Sequence, residues 1–163
     1  MLISQLKEKI NTNNIDEAIC IIEKIGEKRL NEATSYLIEQ LQITKNHLLR
    51  NSIALALCDI GNSDAVEPIV NVLRDPKTIG YRGTLLASLE PFDYSHHIDV
   101  LFDFLIEGNF EVSRKSLLLI ESIIKNISEE KKQEYLEILK DEIERLEDKL
   151  DLLSEASDIF NLK

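Results

Sequence analysis

A chain of 163 residues with 44% hydrophobic and 30% charged side chains fits one domain with a substantial core and is too apolar for a disordered segment. The formal net charge is −11, from 30 acidic against 19 basic side chains. That balance opposes nucleic acid and anionic membrane surfaces, where neutralising phosphate supplies much of the affinity. It suits a basic protein partner, besides simply keeping the chain soluble. No run of about 18 apolar residues predicts a membrane span. The opening Met1-Leu2-Ile3-Ser4-Gln5-Leu6-Lys7-Glu8-Lys9-Ile10 places charges where a signal peptide needs its apolar stretch, so the cytosol is the expected location.

In chain order, Leu2, Ile3, Leu6 and Ile10 sit at helical spacing, and Asn11-Thr12-Asn13-Asn14 reads as a turn. A helix follows from about Asp16 to Ile25, with Ala18, Ile19, Ile22 and Ile25 on one side and a stop near Gly26. The next covers about Asn31 to Gln42, marked by Ala33, Leu37, Ile38 and Leu41. The same marks return as Ala65, Ile69, Val70 and Leu73, and in part as Leu101, Phe102 and Leu105. Asp64-Ala65-Val66-Glu67 reads as a capping box, Asp75-Pro76 as a stop, Ser95 as an N-cap and Gly108-Asn109 as a closing signal.

Between these lie helices predicted at about 47–60, 79–90 and 112–126, headed by Arg50, Arg82 and Arg114, which are 32 residues apart. The period predicts two helices per repeat. Helices of about 12 residues are unstable alone in water, so stacked neighbours must bury their apolar faces. Gly83, Glu90 and Pro91 disturb the second helix, and Glu121 leaves the register of the third open. Cys20 and Cys58 lie in apolar helical stretches and read as buried free thiols.

The stretch Leu49-Arg50-Asn51-Ser52-Ile53-Ala54-Leu55-Ala56-Leu57-Cys58-Asp59-Ile60-Gly61-Asn62-Ser63-Asp64-Ala65-Val66-Glu67-Pro68-Ile69-Val70-Asn71-Val72-Leu73-Arg74-Asp75-Pro76 resembles a unit of the bacterial HEAT-like repeat family. The resemblance is good over 47–76, fair over 79–107 and degenerate over 16–42 and 112–126. It implies an all-α, right-handed α-solenoid of helical hairpins over about 1–127. It further implies that the arginine-headed helices line a concave face. Candidate partner contacts are then Arg50, Asn51, Leu55 and Asp59, with Arg82, Thr84 and Ala87, and with Arg114, Lys115 and Leu119. In that family an acidic residue and an arginine commonly tie adjacent turns, which gives Asp75 before Arg82 and Glu107 before Arg114 a structural reading beside the binding one.

From Ser128 a long acidic helix is predicted. Leu136, Leu139, Ile143, Leu146, Leu150 and Leu153 alternate spacings of three and four, a heptad seam. Residues 129–163 carry 12 acidic and 6 basic side chains. Two readings stand: the seam caps the last repeat, or it pairs with a second copy or a partner helix. In the tail, 154–163, Ile159, Phe160 and Leu162 either dock or fray.

No catalytic constellation is legible. His96 and His97, beside Asp93 and Asp99, point about 100° apart on one helix and make a poor metal pair. Neither cysteine has a basic neighbour to stabilise a thiolate, and no glycine-rich phosphate loop exists. The expectation is a non-catalytic protein without cofactor or metal that binds a basic protein. One concrete form is an inhibitor or immunity protein that neutralises a basic nuclease toxin. Other functions of HEAT-like proteins, bilin-lyase-like or chaperone-type, are alternatives, as is a self-associating structural protein. The absence of Trp and the acidic charge oppose a DNA glycosylase of HEAT-like type.

Overall fold

The computed structural model describes residues 1–161, and all regular secondary structure among them is helical. The chain forms two compact units, Met1–Ser122 and a second beginning at Ile123.

In the first unit the helices are α1 (Leu2–Asn11), α2 (Ile15–Glu27), α3 (Thr34–Ile43), α4 (His47–Ile60), α5 (Val66–Arg74), α6 (Arg82–Ala87), α7 (Ile98–Glu107) and α8 (Phe110–Ile123), the last ending just past the boundary. Short 3-10 turns lead into α3, α5 and α7, at Asn31–Ala33, Ser63–Ala65 and Ser95–His97. Three pairs of chain neighbours pack on one another (α1 on α2, α3 on α4, α5 on α6). In addition α2 lies along α4, α4 touches α6, and α3 touches α5. Between α2 and α6 alternate helices therefore meet in two rows, and the apolar marks explain why. Ala18, Ile22 and Ile25 of α2, Leu37 and Leu41 of α3, Ile53, Ala54 and Leu57 of α4, and Ile69 and Leu73 of α5 are all enclosed at helical spacing.

Side-chain ties join residues 30 to 35 positions apart in the sequence. Asn62 Nδ2 donates to Asn31 Oδ1 at 2.8 Å, and Lys77 Nζ donates to the Gln42 carbonyl at 3.3 Å. The His47 and Tyr81 rings stack at 4.2 Å, and His97 Nε2 lies 3.2 Å from Glu67 Oε2. His97 thus faces the Glu67 carboxylate, while Asp93 Oδ1 accepts from the Ser95 N–H at 3.1 Å.

Several boundaries differ from the sequence reading. α2 runs through Gly26 to Glu27, because Gly26 is buried against α4 and does not end the helix. The cap before α5 is Asn62, whose Oδ1 accepts from the Asp64 N–H at 2.9 Å; α5 has no side-chain cap, so the expected box does not form. The Ser95 side chain donates to Asp93 instead of capping α7. α6 is only six residues long. At Gly83 a Cβ would meet the end of the Glu111 side chain of α8, a flexible group rather than backbone.

In the second unit a 3-10 turn at Ile124–Asn126 precedes α9 (Glu129–Asn161). Ser128 Oγ accepts from the Lys131 N–H at 3.2 Å and caps it, with Glu129 and Glu130 in the first turn, where they favour the helix dipole. α9 continues without a break through Ile159 and Phe160, both exposed, so the predicted tail is helical as far as Asn161. Leu162 lies outside the described residues. Among the described residues no helix is long and apolar enough to cross a membrane.

Candidate functional site

The face most suited to contact is the groove between α2 and α4. The two helices pack along each other, and Glu23 and Glu27 of α2 line the groove together with Leu55 and Asp59 of α4, which follow them by 32 residues in sequence. Their close approach is set at Gly26, where a Cβ would lie 3.0 Å from the Ala56 Cα and 3.0 Å from Asp59 Oδ2. The groove has a volume of about 440 Å³. Ile19, Leu48, Leu55 and Ala56 give it apolar walls; Ser52 adds a hydroxyl, and Glu23, Glu27 and Asp59 bring three carboxylates with no cation among them. Leu48 and Leu55 are 56% and 47% exposed. Single exposed leucines are ordinary, but two flanked by same-sign charge make a defined patch.

The acidic character continues past the groove. Cys58, half-buried on α4, has its thiol pushed up first by burial and then by the nearby Asp59 and Glu90 carboxylates. Lys115 Nζ stands 3.8 Å from Glu90 Oε1. Chemically, the arrangement attracts cations and covers apolar surface; it activates no nucleophile, since the thiolate is disfavoured where it sits.

The predicted contacts separate. Leu55 and Asp59 line the groove. Arg50 is a correction: it is 1% exposed, and its Nη2 donates to the Thr44 carbonyl at 2.9 Å, so it anchors the turn before its own helix. Leu119 is likewise core, 4% exposed, and its carbonyl accepts from the Tyr94 hydroxyl at 3.0 Å. Arg82 Nε donates to Thr78 Oγ1 at 3.3 Å, and its guanidinium lies 4.6 Å from the Phe104 ring centroid. Asn51, Thr84, Ala87 and Lys115 are half-buried, and Arg114 is exposed. Asp75 does not pair with Arg82. It bonds the Lys77 N–H and Nζ, both at 2.9 Å, and these bonds, with a smaller contribution from the Arg50 charge, hold its carboxyl below the usual range.

Sequence reasoning missed Ile19, Glu23, Glu27 and Leu48. The first three lie within 16–42, where the sequence resemblance is degenerate; sliding α2 forward by 32 residues would have set Glu23 and Glu27 on Leu55 and Asp59. A second cavity of about 570 Å³ is bordered by Arg74, Arg82, Asp99, Asp103 and Glu107, whose opposed charges select no ligand class.

Cys20 corrects a further expectation, because it is exposed and not core; both thiols are free. With Cys58 half-buried and its thiol raised, alkylation followed by mass spectrometry should modify Cys20 first and Cys58 several-fold more slowly near neutral pH. Equal rates would show that the Cys58 site opens freely.

No family model, curated protein or solved structure matches this chain.

Proposed function

We propose that this chain is a non-catalytic binding protein, a HEAT-like right-handed α-solenoid of helical hairpins whose α2–α4 groove takes a basic protein segment with apolar side chains. The observation that carries the reading is the groove itself: apolar walls, two exposed leucines and three unopposed carboxylates on a chain of net charge −11. The two rows of helices and the ties at near-repeat spacing support the solenoid. Lysine or arginine on an incoming segment would meet Glu23, Glu27 and Asp59, while its apolar residues cover Leu48 and Leu55. Long-range attraction would speed the encounter, and apolar burial would slow release. An inhibitor that seats a basic target, such as a nuclease toxin met by its immunity protein, is the concrete form that size and charge suit. The two free thiols are in keeping with a cytosolic setting.

The test is parallel capture from the native cell with three baits: the wild-type chain, Leu55→Asp, and the double variant Glu23→Lys/Glu27→Lys. The expected result is a basic protein held by wild type at about 0.05 M salt and weakened at about 0.5 M, where screening shortens the reach of the charges. Its recovery should fall at least about tenfold with either variant, the size of effect a central contact carries. Capture that is indifferent to both variants, or confined to acidic proteins, would remove the groove as the binding face.

A further inference from the structure

We propose that α9 pairs with α9 of a second copy as an in-register antiparallel coiled coil. Leu136, Ile143, Leu146, Leu150 and Leu153 are 45% to 63% exposed, and Leu139 is half-buried. Alternating spacings of three and four put Leu136, Ile143 and Leu150 at the a positions of a heptad, and Leu139, Leu146 and Leu153 at d. Reversing one copy about a point between Glu144 and Arg145 sets Leu136 against Leu153 of the second copy, Leu139 against Leu150, and Ile143 against Leu146. Every seam residue then has an apolar partner.

The flanking charges select this orientation. One edge of the seam reads Lys140 then Glu147; the other reads Glu142 then Lys149. In an antiparallel pair each edge meets its own reversed copy. Lys140 then faces Glu147 of the second copy and Glu142 faces its Lys149, four attractive pairs around the two-fold axis. A parallel pair would instead bring Glu142 against Glu147 twice. It would also align two helix dipoles that the antiparallel arrangement opposes. Within one helix Arg145 holds both Glu142 oxygens, Nε donating to Oε2 at 2.8 Å and Nη2 to Oε1, so Lys149 of the second copy would share that carboxylate with Arg145.

The same map chooses between occupants. The excess acid of α9 sits at the outer b and f positions, in residues such as Glu137, Glu144, Asp141 and Asp148, while the four residues bordering the seam balance to zero. A basic partner helix would require acidic borders. A second copy satisfies borders that are self-complementary.

The test uses the full chain. Sedimentation equilibrium should give a mass of two chains. Ile143→Asp should give one chain with helical content and thermal unfolding of the first unit preserved, since Ile143 is exposed in the single chain. Glu147→Lys should weaken the dimer about tenfold by opposing Lys140, whereas it would strengthen a parallel pair. Adding Lys140→Glu should restore it. For orientation, Leu136→Cys and Leu153→Cys are prepared separately in a Cys20→Ser/Cys58→Ser background. They should cross-link with each other on mixing but not with themselves, because two copies of position 136 lie about 25 Å apart along an antiparallel rod. A monomer at all concentrations, a larger assembly, or self-linking of Leu136→Cys would overturn the proposal.

Discussion

Replacing Arg50 by alanine should cost about 3 kcal/mol of stability, and protein that remains folded should retain its binding. Arg50 lies near the start of α4, and arginine is the residue of choice for gripping carboxylates, so a binding role is the natural first thought. Its burial decides otherwise. With 1% of its surface exposed it is the largest of the fully enclosed side chains. Its Nη2 satisfies the Thr44 carbonyl, which follows the last residue of α3. Truncation would remove that charge-assisted bond and leave a cavity the width of the side chain, while relieving the cost of a buried charge whose Nε has no partner among the described residues. The packing and bonding losses are larger than that relief. Arg50→Met keeps the stem and discards the charge, so it should cost only about 1 kcal/mol. Thermal unfolding should show a fall of about 10 °C for alanine and far less for methionine. If both variants unfold like wild type while partner capture is lost, Arg50 belongs to the interface after all.

The comparison of Arg50 with Leu55 shows what periodicity conveys and what it withholds. A 32-residue recurrence locates helices, because backbone hydrogen bonding and apolar spacing are local. The α4 limits His47 and Ile60 follow from the Asn46 side chain, which caps the Leu49 N–H at 3.0 Å, and from Gly61, whose φ of +75° stops the helix. Recurrence does not say whether a residue points at a neighbouring turn or at water. Arg50 turns inward, where Thr44 offers a carbonyl, and Leu119 is enclosed, its backbone carbonyl held by the Tyr94 hydroxyl. Neither partner sits at a helical offset from the residue it holds. The groove was half legible for a related reason. Leu55 and Asp59 lie in the clearest repeat, whereas Glu23 and Glu27 lie where the pattern has decayed, and only the register of α2 on α4 brings them together. The caps expected at Asp64 and Ser95 do not form: Asn62, two residues earlier, caps the 3-10 turn before α5, and the Ser95 side chain bonds Asp93 while α7 has no side-chain cap.

Gly26→Leu should be as damaging as Arg50→Ala, with a loss of about 3 kcal/mol, and it should impair binding as well. In the helix interior glycine is ordinarily a weakness, and alanine would gain about 1 kcal/mol from propensity alone. At position 26 that gain meets an obstacle made of backbone. The new Cβ would lie 3.0 Å from the Ala56 Cα and 3.3 Å from its Cβ, neither of which can swing aside without moving α4. Gly26→Ala should therefore come out near neutral, propensity offsetting compression. Leucine adds three more carbons to the same gap and must part the helices. Gly83 supplies the contrast: its obstacle is the end of the flexible Glu111 side chain, so Gly83→Ala should be tolerated or mildly stabilising. Urea unfolding midpoints for the three variants would rank them, and the order Gly83→Ala, Gly26→Ala, Gly26→Leu from most to least stable is the expected one. Because Asp59 Oδ2 occupies the same neighbourhood as Ala56, parting α2 from α4 also displaces a groove carboxylate. Stability and capture should fall together in Gly26→Leu, whereas Leu55→Asp should lose capture alone. A Gly26→Leu protein that matched wild type in stability would mean that α2 and α4 are not held at this spacing, and the groove built on that spacing would go with it.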